Sequence, residues 1–102
     1  MKYIYLIQSQ EDGYYKIGIS KNPNKRLLTL QTGNSSPLKL INTYQTEFAE
    51  KIEGTLHRRY KHLHKEGEWF DLSIEHEVYF IDECKKIEDS IKYLVENNNV
   101  FI

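Results

Sequence analysis

Cysteine is almost missing from the chain: Cys84 stands alone. It cannot close an internal disulfide and has no thiolate companion for a metal site, so a reducing, cytoplasmic setting is expected. Long apolar runs are missing as well. The stretch Tyr3 to Ile7 is far shorter than the ~20 residues of a membrane-spanning helix, and no small-residue cleavage site follows it. Neither a membrane partner nor a signal peptide is therefore expected. With only two prolines and five glycines in 102 residues, there is no linker and no low-complexity tract. A chain of this length supports one hydrophobic core and not two.

A strong overall charge is also lacking, since the formal balance is -1 at pH 7. That balance conceals a division along the chain. From Lys16 to Lys65, ten Lys and Arg stand against three acids; from Glu66 onward, three Lys stand against ten acids. Three of the four histidines lie in the basic middle. Such asymmetry is expected where one face meets a polyanion, although small proteins also segregate charge by chance.

What is present reads as a small α/β (α+β) domain. "YIYLIQ" is aromatic and β-branched, "SQEDG" is a turn, and "YYKIGIS" is the returning strand of a hairpin. Period-2 alternation sets Ile4 and Leu6 with Tyr15, Ile17 and Ile19 on one face. Tyr3, Tyr5 and Ile7 share the other face with Tyr14, Lys16 and Gly18. The first face is the better core, and Gly18 leaves room on the second for something to approach the backbone. Asn22-Pro23 reads as an N-cap with proline at the first helical position, and "NKRLLTLQ" continues as a helix stopped by Gly33-Asn34.

"LKLINTYQT" alternates as a third strand, with Leu38, Leu40 and Asn42 against Lys39, Ile41 and Thr43. "EFAEKIEGTLHRRYKHLH" is an amphipathic helix whose stripe is Ala49, Ile52, Leu56, Tyr60 and Leu63. "GEWFDL" is a short extended piece in which Trp69 and Phe70 are expected to be core. Ser73 caps a last helix carrying Val78, Ile81, Cys84, Ile87, Ile91 and Leu94, which the run Asn97 to Asn99 ends. The expected architecture is a three-stranded, mostly antiparallel sheet flanked by helices. Residues 1–72 form its core, and an acidic helical extension, 73–102, packs on the same domain.

The order of motifs adds to this. "YIY" (3–5), "KIG" (16–18), "P..RL..LQTGN" (23–34), "IE..LH" (52–57) and "GEWF" (67–70) together resemble the GIY-YIG nuclease superfamily, in its phage and large-DNA-virus branch, over about residues 2 to 72. Tyr3 stands at a family glycine and Lys16 at the family's second tyrosine. The resemblance implies a metal-dependent endonuclease acting on DNA. Tyr5 would be the base or water-positioner, Lys16 and Arg26 the cations on phosphate, and Glu53 the ligand of Mg²⁺ or Mn²⁺. His57, one helical turn from Glu53, would hold the leaving group, a metal-bound water or Glu53 itself.

The chemistry is coherent residue by residue. Phosphodiester hydrolysis needs an activated water in line with the leaving oxygen and positive charge on the developing phosphorane. A guanidinium offers a fork matched to phosphate, and Mg²⁺ keeps most of its waters and needs few protein ligands. A phenol titrates near ~10, so Lys16 and Arg26 would favour phenolate at Tyr5. Lys21, Lys25, Arg58, Arg59 and Lys61 would track the DNA backbone. Each of these residues also has a plain alternative as a solvated or packed side chain. A domain that binds DNA or a protein without cutting, an interaction module built on the acidic helix, and an RNA-binding sheet with stacking tyrosines are the competing functions. No separate reader accompanies the core, so selectivity would come from nucleic-acid shape, a homodimer or a separate recognition protein.

Overall fold

The computed structural model describes residues 1–97. Four strands form one sheet in the order β3-β1-β2-β4. They are β1 (Lys2–Ser9), β2 (Tyr15–Ser20), β3 (Leu38–Thr46) and β4 (Trp69–Phe70), and every pairing is antiparallel. The helices are α1 (Pro23–Thr32), α2 (Ala49–Arg59), α3 (Ile74–Val78) and α4 (Phe80–Glu96), with a single 3-10 turn at Lys61–Leu63. The expected small α+β domain is present. Its sheet has four strands and not three, because "GEWF" adds two residues alongside β2: Tyr15 faces Phe70 and Lys16 faces Trp69.

The hairpin faces lie as the alternation requires. Ile4, Leu6, Tyr15 and Ile17 point into the main core with Ile52 and Leu56 of α2 and with Phe80, Cys84, Ile87 and Ile91 of α4. The opposite face is also covered at its centre, since Tyr5 is 1% exposed and Ile7 is fully buried. The third strand departs from the simple alternation. Leu6 pairs with Asn42 and Ile7 with Leu40, so Ile41 is an inserted bulge residue. One extra residue reverses every side chain beyond it. Leu38, Leu40 and Thr43 consequently share the Tyr5 face, while Ile41 and Tyr44 pack on the core.

Local chemistry sets the boundaries. The Asn22 side chain accepts from the Lys25 amide at 3.1 Å and Pro23 occupies the first turn of α1. The loop after α1 is pinned by Gln31, whose amide donates to the Ser36 carbonyl at 2.9 Å and accepts from the Leu38 amide at 2.7 Å. At Ser73 the expected cap forms, closed reciprocally by His76. The helix it starts is only five residues long, because the chain breaks at Tyr79 before α4 begins. The break alters the apolar register: Val78 is 65% exposed, and Phe80 takes the inward position in its place. Asn97 caps α4, while Asn98 and Asn99 of the asparagine run lie outside the described residues.

Tyrosine hydroxyls tie the C-terminal helices to the sheet. Tyr44 donates to Glu88 of α4 at 2.8 Å, and Thr46 donates to the other oxygen of the same carboxylate. Burial alone would raise the Glu88 pKa, but these hydrogen bonds and Lys92 hold it below the usual carboxylate range. Tyr15 donates to Glu77 of α3 at 2.7 Å. Burial, with Glu77 beside it, pushes the Tyr15 hydroxyl up to about 12 from its ordinary 10.0. The folded state therefore holds this proton more tightly than the unfolded chain does. The stability gained is complete below pH ~10 and is lost as pH rises toward the folded value. Urea unfolding between pH 9 and 12 is expected to show that decline, by up to about 1.4 kcal/mol per pH unit for one group. Tyr44, Tyr5, Tyr60 and Cys84 are raised in the same direction, so Tyr15→Phe should remove one group's share of the slope and leave the rest.

Candidate active site

The site is organised by the shortness of β4. Across the sheet face that carries Tyr5, one row runs Leu40, Ile7, Lys16, Trp69, and the next runs Thr43, Tyr5, Gly18. Beyond Lys16 the two-residue β4 has ended; the Ile17 amide still donates to the Glu68 carbonyl at 3.4 Å, and past Ile17 no strand pairs with the outer edge of β2 among the described residues. The Tyr5 ring crosses Gly18 toward this gap. A Cβ built at position 18 would lie 2.3 Å from the Tyr5 hydroxyl oxygen and 2.4 Å from the carbon that bears it. The space that glycine leaves is thus filled by the chain's own tyrosine, and not by an approaching ligand as the sequence suggested.

Three charged side chains act on the Tyr5 hydroxyl from three parts of the chain: Arg26, Glu53 and Glu68. Burial raises the Tyr5 pKa above its ordinary value. The Arg26 guanidinium of α1, a hydrogen-bond partner of the phenol, opposes that rise, while Glu68 and Glu53 add to it. The phenol therefore remains protonated at neutral pH, contrary to the expected phenolate. Lys16 does not act on it directly. Its ammonium is ion-paired to Glu68 at 3.2 Å, sits 5.5 Å from the centroid of the Trp69 ring, and leaves only 12% of its side chain exposed.

Glu53 and His57 lie one turn apart on the face of α2 that looks onto the β2 edge. The His57 Nε2 donates to the Ile17 carbonyl at 2.8 Å, and its ring packs edge-on to Phe70 with centroids 5.0 Å apart. A carbonyl only accepts, so Nε2 carries the proton and Nδ1 of the neutral ring is the acceptor. Burial raises the Glu53 pKa; His57 and Lys16 oppose that rise, and Glu68 and Glu50 increase it. A desolvated carboxylate with a second carboxylate nearby is the donor set that a hard divalent cation relieves. Among the described residues no three His, Cys, Asp or Glu side chains gather closely enough to hold a metal by themselves. An ion at Glu53 would have to complete its shell with water and substrate oxygens, as Mg²⁺ commonly does.

Tyr5, Lys16, Arg26, Glu53 and His57 are thus brought to one place. Glu68 joins them; its one mark in the sequence is its place in the "GEWF" motif, beside the two aromatic residues. Phe70 is core and Trp69 is half-buried. The expected DNA-tracking cations are less unified. Lys21 and Lys25 are exposed at the start of α1, beside Arg26, and Lys61 is exposed on the 3-10 turn. Arg58 is exposed and donates to Thr55 at 3.3 Å. Arg59 lies roughly two-thirds of a turn around α2 from Glu53 and is ion-paired to Glu83 of α4. Arg58 and Arg59 also complement the C-terminal end of the α2 dipole. Arg59–Glu83 and Lys16–Glu68 join the basic middle to the acidic end, so charges separated in sequence are partly interleaved in space.

Residues 2–91 match the family model of the T5orf172 domain. The chain belongs to the T5orf172 domain family. This corrects the GIY-YIG resemblance: the matching model carries the other family's name and extends through α3 into α4, well past the stretch that held the motifs. Tripeptides such as "YIY" and "KIG" arise readily wherever aromatic and β-branched residues line a half-buried hairpin, and Tyr3 and Lys16 already departed from the pattern. A protein of Invertebrate iridescent virus 6 named for a KilA-N domain, 315L, is 32% identical over 80 residues. The match takes in 74% of this chain and 34% of the viral one, so the chain spans about a third of that relative's length. No solved structure matches the T5orf172 chain significantly. Among its described residues no helix is long and apolar enough to cross a membrane.

Gly18→Ala forces its methyl into the buried Tyr5 ring, which must shift to admit it. It is expected to cost about 1–3 kcal/mol in urea unfolding. Adding Tyr5→Ala to the same chain should recover part of that loss, a coupling that two independent substitutions would lack.

Proposed function

We propose that this T5orf172 domain is a nuclease that binds DNA and hydrolyses its phosphodiester bonds at the open end of β2, with a divalent metal. The observation that carries the reading is the convergence of the Tyr5 hydroxyl, the Arg26 guanidinium and the Glu53 carboxylate across Gly18, with His57 one turn from Glu53. Arg26 supplies the fork for a non-bridging phosphate oxygen. Tyr5, protonated, donates to the phosphate or to the attacking water. His57 Nδ1 accepts the proton that water gives up, while its Nε2 bond to Ile17 fixes the ring. Glu53 would hold Mg²⁺ or Mn²⁺, which supplies Lewis-acid stabilisation of the leaving oxygen. Lys16 positions Glu68 and contributes positive charge at the rim. DNA approaches from the side of Lys21, Lys25 and Arg26.

Whole-protein selectivity is assigned to elements beyond this site. Support comes from the iridescent-virus relative named for a KilA-N domain, about two thirds of which lies outside the match. A homodimer or a separate recognition protein would serve the same purpose. The binding-only reading has one observation in its favour: Lys16 is already committed to Glu68 and Trp69.

Supercoiled and branched DNA incubated with wild type, Glu53→Ala and Arg26→Ala separates the two. Wild type is expected to cut with Mg²⁺ or Mn²⁺ and to stop with chelator. Each variant should lose about a hundredfold or more in rate, as when one transition-state charge donor is removed, while still binding DNA. Binding by all three with no metal-dependent cutting would leave a binding domain.

A further inference from the structure

A second concavity adjoins the site along the same sheet face. It is a cleft of about 410 Å³, near the lower end of the range of roughly 300–1,000 Å³ typical of small-molecule sites. Tyr14 and Trp69 line it, as do Asn34, Lys65, Asp12 and Glu66. Lys16 connects it to the reaction site, since its ammonium sits against Trp69 while paired to Glu68. On the other side the Lys65 ammonium lies 5.4 Å from the centroid of the Tyr14 ring.

The lining selects its own ligand class. Two carboxylates against one ammonium disfavour a phosphate. Two aromatic rings, the Asn34 amide and acceptor carboxylates suit a flat, uncharged heterocycle with N–H donors. The cleft's floor is already rigid. Ser9 and Ser36 are buried and share a hydrogen bond of 2.7 Å, the Asn34 side chain accepts from the Ser36 amide at 3.0 Å, and Asp12 accepts from the Tyr14 amide at 2.9 Å. We propose that this cleft is a subsite for one unpaired nucleobase of a strand whose neighbouring phosphate lies at Arg26 and Tyr5. The proposal rests on the nucleic-acid reading above. It implies a preference for branched, gapped or single-stranded substrate, in which a base leaves its stack at least cost.

Trp69 is the chain's single tryptophan, so its fluorescence reports on the cleft directly. The full chain would be titrated with an oligothymidine strand and with a strand of the same length made only of abasic sugar-phosphate units, with binding followed separately by anisotropy. Both strands should bind through charge, but only the strand with bases should quench Trp69. Tyr14→Ala, which keeps the reporter, should weaken oligothymidine about tenfold, in the range found for one lost base–aromatic stack, and leave the abasic strand unchanged. Equal quenching and equal affinity for the two strands, with no effect of Tyr14→Ala, would overturn the subsite while leaving DNA binding intact. Failure of both strands to bind would overturn the subsite together with the nucleic-acid reading on which it stands.

Discussion

Everything at the candidate site depends on one steric fit, the Tyr5 ring lying across Gly18. Any side chain at position 18 would collide with the phenol, and any smaller residue at position 5 would leave the centre of the second sheet face empty. With the fit in place, a hydroxyl from the interior of β1 reaches across onto β2, over Gly18. There it meets a helix from either side: α1 with Arg26, and α2 with Glu53 and His57. The same packing leaves Tyr5 only 1% exposed and desolvates the phenol, which keeps its proton on. A phenol in that state can donate a hydrogen bond but is a poor base.

The second constraint is the length of β4. Had it continued, its backbone would have paired with β2 and closed the gap into which Tyr5 points. It ends after Lys16 because the chain turns at Gly67, whose positive φ of 54° favours glycine. Glu68 is thereby left beside Lys16, Tyr5 and Glu53. A short strand, a glycine in an unusual conformation and a carboxylate beside Tyr5 therefore belong to one local turn.

Much of this was legible in the sequence, and the parts that were not have physical reasons. The hairpin faces, the Asn22-Pro23 helix start, the α2 stripe and the Ser73 cap are local patterns, each decided by residues a few positions apart. The bulge at Ile41 was not legible, since it shows only as a register mismatch between two strands far apart in sequence. Nor was the break at Tyr79, where burial of Phe80 outweighs a pattern that favoured Val78 equally well. Tyr5, Lys16, Arg26, Glu53 and His57, named from the resemblance, gather at one sheet edge because the order of elements brings them there. Glu68 was missed because a carboxylate in a loop has no periodicity to mark it. The family was misread for a related reason: short hairpin motifs describe a packing arrangement that more than one family can use.

The hydrogen bond from His57 to the Ile17 carbonyl has a consequence outside chemistry. Where β4 stops, β2 would otherwise present bare backbone acceptors at a sheet edge, and such edges invite a strand from another molecule to add on. An imidazole seated on that carbonyl, with α2 behind it, covers the vacancy with a side chain that cannot extend the ladder. The sheet can thus end short at this position without becoming adhesive there, because a neighbouring chain finds no free acceptor at Ile17.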